Sequence, residues 1–285
     1  ASSADHGTKI KVIKANSHKY AISAMCKALK VSRASYYKET KRKNPVDPES
    51  HLVEKLFIEN KRSYGTRRLK KACKALGVII SRRRIRRIML SLGINSVYTV
   101  KKYKPCKSSV NEEKAVNIVD QEFDNRKRCE VLVSDLTYVR VGGKWHYICT
   151  IIDLYNREII GYSCGPHKAA QLVLEAFASI SRTLQEVGIF HTDRGSEFKN
   201  KSIDVLLETF GITRSLSHKG TPYDNAVAEA TYKTIKTEFV SQEHFETIEQ
   251  LRLSFGAYVW WFNNKRLHSS LNYATPVQYH QQLSL

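Results

Sequence analysis

A mixed α/β domain preceded by small all-helical modules is the fold class this sequence predicts, and three observations predict it. Hydrophobic spacing is helical up to about residue 93 and turns to strand-like alternation near residue 129. Three β-rich runs joined by tight turns are then followed by alternating helix and strand, which excludes a helical bundle. The charge divides with the pattern. Residues 1–110 hold 28 basic and 6 acidic side chains, a net +22, whereas residues 111–285 hold 19 and 21, a net −2.

The expected order begins with two short helices over 20–38. Ile22, Met25, Cys26 and Leu29 recur at helical spacing, and Ser32 is the N-cap of a second helix carrying Tyr36 and Tyr37. A polar, proline-containing linker follows. Asp47–Pro48 then reads as N-cap and first-turn proline of a helix with Leu52, Leu56 and Phe57 inward. In 64–93, Leu69, Ala72, Cys73 and Leu76 form one stripe ended by Gly77. Ser81 caps the next helix, whose stripe is Ile85, Ile88, Met89 and Leu92, closed by Gly93. Arg82, Arg83, Arg84, Arg86 and Arg87 stand on its outer face without one acid among them. Two short helices with a tight turn and an arginine-studded second helix read as a helix-turn-helix offering that helix to DNA, against the plainer reading of a solvated helical hairpin.

Strands are expected over 129–141, 144–156 and 157–165, with turns at Gly142–Gly143 and Asn156. A helix over 168–187, a buried strand over 188–193, a helix over 201–210 and a strand over 212–217 follow. Helices over 225–240 and 247–264 close the chain, the first capped by Asp224 or Asn225. The resulting division is 1–45 as a helix-turn-helix-like DNA-binding segment, 46–110 as a second helix-turn-helix domain plus basic linker, and 111–285 as the α/β domain.

Composition narrows the function classes. The chain has 285 residues, 42% hydrophobic and 26% charged, which is too apolar for a disordered protein. No apolar run approaches the ~18–20 residues of a membrane helix, and the start lacks a signal-peptide core, so secretion and membrane insertion are not expected. The first residue is Ala rather than Met, which fits a processed, tagged or partial product. Cys26, Cys73, Cys106, Cys129, Cys149 and Cys164 are scattered with no C-x-x-C pair, so neither zinc knuckle nor disulfide framework is expected, and isolated thiols of a reducing cytoplasm are. The net charge of +20 points to a polyanion. A membrane surface is excluded because the basic helices carry only core-sized apolar stripes.

Three acids in the α/β part stand out. Asp135 lies in the first strand on the face of Val131, Val133, Thr137, Val139 and Val141, where a carboxylate is costly unless paired or metal-bound. Asp193 ends the fourth strand in HTDRGSEF, at the edge where α/β sheets gather ligands. Glu229 lies beside the stripe of Ala228, Tyr232, Ile235 and Phe239, with Lys233 and Lys236 on its own face. Singly they read as a strand-edge acid, a turn acid and a surface acid paired to Lys233. Together, with 35 residues between Asp193 and Glu229, they form a D, D-35-E signature.

Their flanks, SDLTYV, IDLYNREIIG, HTDRGSEF, KGTPYDNAVAEATYKTIKTE and WFNNKRLHSSLNYATPVQY, resemble the core of OrfB-type transposases of insertion sequence family three. SYGTRRLKKACKALG and RRRIRRIMLSLGI resemble the helix-turn-helix that precedes it there. The resemblance spans about residues 20–280. It implies an RNase H-like mixed five-stranded sheet with flanking helices, and Asp135, Asp193 and Glu229 as a catalytic triad binding Mg²⁺ or Mn²⁺, two ions per site. It further implies cleavage and joining of DNA by in-line displacement at phosphorus. Lys236 matches the basic residue accompanying the triad. Lys233 and Lys236, with Arg67, Arg68 and the five arginines above, are the expected DNA contacts.

The implied partners are terminal inverted repeats and target DNA, other copies of the chain on that DNA, and an upstream OrfA-like partner or fusion, since no leucine-zipper heptad is visible. A circular intermediate and a bacterial cytoplasmic, nucleoid-associated location are implied too. Glu197 stands where the family more often has an amide, a change expected to do little, and a loop acid so near Asp193 is expected to be a decoy. Asp153 and Asn156 are expected to serve turn structure, His191 packing, and Trp145, Trp260 and Trp261 the core. A retroviral-type integrase is disfavoured by the missing zinc pair, and a plain nuclease by the strongly basic arm. A DNA-binding regulator with an inert core is disfavoured by the intact acids.

Overall fold

A computed structural model of the chain describes residues 5–40, 46–99, 117–123, 126–218 and 222–283. Cys106, most of the basic linker and Lys219–Gly220–Thr221 lie outside the described residues. Two compact units are present, Ala1–Ser50 and His51–Leu285.

The first unit holds α1 (His6–Asn16), α2 (Ile22–Ala28) and α3 (Arg33–Thr40). Asp5 caps α1 through the Gly7 N–H at 3.3 Å, and Ser32 caps α3 through the Ser35 N–H at 3.0 Å. Ile10 and Ile13 of α1 close over Cys26, Val31 and Tyr36, while Tyr37 faces solvent. Sequence reading missed α1 because two isoleucines are its only buried residues.

The second unit begins with α4 (Ser50–Glu59), α5 (Thr66–Ala75) and α6 (Arg82–Ser91). Val53, Leu56 and Phe57 of α4, Leu69 and Cys73 of α5, and Ile85, Ile88 and Met89 of α6 form one core. Gly77 and Gly93 take positive φ at the ends of α5 and α6, and the Ser81 hydroxyl caps α6 through the Arg84 N–H at 3.2 Å. Leu76 was expected inside but is exposed, because α5 stops at Ala75.

The sheet contains β1 (Val131–Val141), β2 (Lys144–Asp153), β3 (Ile159–Gly165), β4 (Ile189–Thr192) and β5 (Thr213–Leu216), ordered β3-β2-β1-β4-β5. β1 pairs antiparallel with β2 and parallel with β4, β2 pairs antiparallel with β3, and β4 pairs parallel with β5. This is the expected mixed five-stranded arrangement. Successive residues of β1 alternate between faces, so two cores form. Val131, Val133, Val139 and Val141 pack beneath α9 (Ala226–Ile235) and α10 (Ile248–Asn264). Leu132 packs on the other face with α7 (Ala170–Ala178) and α8 (Lys201–Thr209). α7 ends nine residues before the expected boundary, where Ser179 turns back to hydrogen-bond the Ala176 carbonyl and the Tyr162 N–H. α11 (Pro276–Leu283), not foreseen, follows α10.

The helical domain of α4–α6 is seated on the C-terminal segment of the same unit. Leu267 packs into the α4–α6 core, and the buried Tyr64 hydroxyl donates to the Lys265 carbonyl at 3.2 Å and accepts from the Leu267 N–H at 2.8 Å.

Candidate active site

The sheet places Asp135 on β1 and Asp193 just past the end of β4, its parallel neighbour. Glu229 is on α9, which crosses the face bearing Asp135. The buried Tyr232 hydroxyl fixes that crossing. It donates to the Asp135 carbonyl and accepts from the Thr150 N–H at 2.8 Å and the Thr150 hydroxyl at 2.7 Å. α9 is therefore pinned to β1 and β2 at the residue carrying the first acid, one turn from the third. Neither Asp224 nor Asn225 caps α9 with its side chain. Asp224 instead accepts from Gln121 at 2.9 Å and from the His218 N–H at 2.8 Å, tying the start of α9 to β5.

Asp135 and Asp193 are each oriented by a local N–H: Leu136 to Asp135 Oδ1 at 2.7 Å and Gly195 to Asp193 Oδ1 at 2.9 Å. Burial, then the Asp193 charge, raises the Asp135 carboxyl to about 7. The Leu136 N–H and the Lys236 charge oppose the rise, and Glu197 adds to it. Glu229 is also raised, by burial and then by Asp193. The middle acid thus acts on both others. Glu229 makes no ion pair with Lys233 among the described residues, so the surface-pair reading does not hold.

Two further groups lie beside these acids: Lys168, which the sequence did not single out, and Glu197, which it set aside. Glu197 is buried, with its carboxylate folded over Gly195 and one oxygen 3.0 Å from the Lys168 ammonium. Its other oxygen is buried without a hydrogen-bond partner. Burial works against the Lys168 charge, but the Glu197 hydrogen bond and the charges of Glu197, Asp193 and Asp135 outweigh it and raise the ammonium. The expectation that Glu197 is an idle decoy is corrected here: the glycine two residues before it lets a loop acid fold back into the site. The G-x-E spacing after Asp193 is the signal that could have found it; Lys168 precedes α7 in no recognisable pattern.

The other expected bystanders are mostly structural. Asp153 is buried and accepts from the N–H groups of Cys129 and Tyr155, each at 3.0 Å. Asn156 donates to Glu158 at 3.0 Å and to the Pro276 carbonyl at 3.1 Å. His191 sits between the Ser215 and Ser217 hydroxyls at 2.9 and 3.1 Å, and burial lowers it to about 4. Trp261 is in the core, but Trp145 and Trp260 are 52% and 57% exposed, so the expectation of core tryptophans fails for those two. Trp145 meets Tyr138 edge to face, and Arg140 lies over its ring at 5.0 Å.

Of the expected DNA contacts, Arg67, Arg82, Arg83, Arg86 and Arg87 are exposed, with Arg84 half-buried. Lys233 and Lys236 are exposed on the helix of Glu229, and the Lys236 ammonium lies 5.0 Å from the Tyr138 ring. Arg68 points inward instead, over the Tyr64 ring and 3.8 Å from Glu238.

Residues 125–222 and 229–283 match two Integrase core domain families, and residues 46–102 match an HTH-like domain family. The transposase of insertion sequence element IS904 from Lactococcus lactis is 30% identical over 81% of this chain and 92% of its own. The 31 kDa protein of insertion element IS600 from Shigella sonnei is 30% identical over 90% of this chain and 99% of its own. The chain belongs to the IS3-family transposases. Transposase InsF for IS3A of Escherichia coli is similar at 27% identity over 91% of this transposase and 94% of its own chain. Among solved structures, the HTLV-2 integrase catalytic core in complex with magnesium shares 16% identity with a TM-score of 0.41, covering 53% of the transposase and 94% of that core.

The candidate donor set of the transposase, carboxylates among which the Asp193 charge raises the proton affinity of Asp135 and Glu229, has the chemistry of a site for a hard divalent cation. The unpartnered Glu197 oxygen points the same way. Among the described residues, no three acidic, His or Cys side chains are gathered closely enough to hold a metal ion as they stand. The acids share one electrostatic neighbourhood without being closed on a common point, and their mutual repulsion opposes closer approach.

Proposed function

We propose that this transposase cuts insertion-element DNA at its ends and joins it to target DNA at a single site formed by Asp135, Asp193 and Glu229. The observation that carries the reading is the placement of the three acids: Asp135 on β1, Asp193 just past the parallel β4, and Glu229 on the helix that Tyr232 pins to the Asp135 carbonyl, with the Asp193 charge acting on both others. These carboxylates would hold Mg²⁺ or Mn²⁺, two ions per site, which supply Lewis acidity to the attacking and leaving oxygens of an in-line displacement at phosphorus. The Leu136 and Gly195 N–H groups aim the two aspartates, and the Tyr232 hydroxyl sets α9 against β1. With its pKa near 7, Asp135 is part-protonated at neutral pH and gives up that proton as positive charge enters the site. Lys168, Lys233 and Lys236 hold phosphate oxygens beside the acids. Water as nucleophile leaves a 3′-hydroxyl, and that hydroxyl attacking a second phosphodiester joins strands, with no covalent protein–DNA link.

The exposed arginines of α6, with Arg67 and residues 1–45, hold the duplex ends, and copies of the chain assemble on them with an upstream OrfA-like partner or fusion. Nucleoid-associated action in the cytoplasm follows from that substrate. The test is incubation with labelled ends of the element, with Mg²⁺ or with EDTA. Nicked and joined products are expected only with Mg²⁺. Binding without any cutting in Mg²⁺ would overturn the reading and leave a DNA-binding regulator.

A further inference from the structure

The helix of Glu229 does not end where α9 ends. It continues through a π-helical turn, Lys236–Val240, which carries a second glutamate inward. Glu238 is 2% exposed. Its carboxylate takes two hydrogen bonds from Arg266, Nε to Oε2 at 2.8 Å and a terminal nitrogen to Oε1 at 3.0 Å. The Tyr98 hydroxyl donates to Oε1 at 2.6 Å, and the Tyr258 hydroxyl to Oε2 at 3.3 Å. Arg68 stands 3.8 Å away.

The partners come from opposite ends of the chain. Tyr98 and Arg68 lie within the HTH-like domain, whereas Arg266 and Tyr258 belong to the C-terminal segment of the integrase core. Glu238 is thus the one carboxylate, among the described residues, on which both domains converge at the rear of the helix of Glu229. Glu238 lies nine positions after Glu229, and it is buried where Glu229 is exposed, so the grip falls on a different side of the helix from the acids. Tyr232 holds the same helix to the sheet.

A buried ion pair is weak evidence for stability, since an apolar replacement often serves as well. Its hydrogen bonds are directional, however, and fix the rotation and axial register of a helix in a way that an apolar contact does not. π-turns also recur at functional positions in helices.

We propose that Glu238, Arg266 and Tyr98 are positioning residues that let the HTH-like domain brace the helix of Glu229, so that this domain sets the placement of the third acid in addition to holding DNA. The inference rests on the proposed role of Glu229. It makes the DNA-binding domain part of the catalytic framework.

The test uses the full chain and Tyr98→Phe, which removes one hydroxyl and leaves the Glu238–Arg266 pair. Lys61→Met is the control, since Lys61 lies at the same seam over the Tyr258 and Trp261 rings but, among the described residues, makes no hydrogen bond or ion pair with Glu238. Amide hydrogen exchange over 226–240 should quicken about tenfold in Tyr98→Phe while β1 and β2 stay as protected as in the parent. On a labelled element end with Mg²⁺, kcat should fall about tenfold with KM for DNA within about twofold. Lys61→Met should change neither. Unchanged exchange over 226–240 in Tyr98→Phe, or a slowing matched by Lys61→Met, overturns the inference. If the parent cuts no DNA, the proposed function fails, and exchange alone decides the bracing.

Discussion

At Gly195 an added methyl would sit 2.5 Å from the Glu197 carboxylate, closer than real contacts allow. Gly195→Ala should therefore push Glu197 off Lys168, cost about 1–3 kcal/mol as overpacking does, and cut nicking at least tenfold. Urea unfolding and the labelled-end assay check the two parts. Asp193→Asn should abolish nicking and joining while DNA affinity stays level or rises, because one ligand and one negative charge are lost. It should also alter the pH dependence of stability in EDTA. Asp135 at about 7 lies above its unfolded value near 3.9. Between those values the folded chain holds a proton that the unfolded chain has released. Its stability from this group falls as pH rises through that window. Removing the Asp193 charge should shrink the fall, leaving Tm at pH 8 higher by roughly 2–4 °C for each ~1 kcal/mol relieved. Equal Tm differences between pH 5 and pH 8 in parent and variant would contradict the electrostatic account. At this scale Asp135, Asp193 and Glu229 could be named as candidates because spacing and flanking motifs survive in the linear sequence. The placement of Lys168 and Glu197 beside them could not be read, because it depends on a turn folding a side chain backwards.

Helices and strands were read well where caps and stripes agree. Ser81, Gly77 and Gly93 bound α5 and α6 as expected, since a hydroxyl cap and positive-φ glycines are local devices. α1 and α11 escaped because their burial is settled by the neighbours they pack on. On α6, Arg83 is in the first turn and Arg87 lies a turn later, both exposed. Residues near the start of such a helix reach base edges, and later ones face backbone. Arg83→Ala should lower the preference for terminal-repeat over random DNA, whereas Arg87→Ala should weaken both and flatten the salt slope. Competition binding at two salt concentrations separates them, and a uniform loss from both would reduce α6 to a phosphate clamp. For α9, Tyr232→Phe deletes three buried hydrogen bonds to Thr150 and Asp135. A loss of about 1–3 kcal/mol is expected for the stranded partners, with nicking reduced more than DNA affinity. Parental nicking in this variant would show that the hydroxyl does not set the helix.

At the scale of the whole chain the charge split is real, but it is not the physical boundary. Positive charge gathers in residues 1–110, yet the compact unit from His51 onward contains both the HTH-like domain and the core. Chain cut before residue 46 should keep the melting transition of the larger unit, because α4–α6 retain their seat. A fragment of 111–285 should melt several degrees lower or aggregate, since it leaves Glu238, Lys265 and Leu267 without Tyr98 and Tyr64. Calorimetry of the two fragments checks this. A 111–285 fragment melting with the parent would show the seam to be dispensable. Sequence could not disclose the seam because its partners lie up to 203 residues apart.

Tyr64 gives this architecture a consequence for how such elements diversify. Its single hydroxyl completes the backbone of the segment following α10, at Lys265 and Leu267. Exchanging the HTH-like domain for an unrelated one by joining genes end to end would leave the Lys265 carbonyl and the Leu267 N–H without these partners. Under the proposed role of α6, a new preference for element ends is more readily acquired by resurfacing the outward side of α6 than by swapping domains, and a chimaera that trades α4–α6 between relatives is expected to work only if it carries the matching stretch around 258–268 with it.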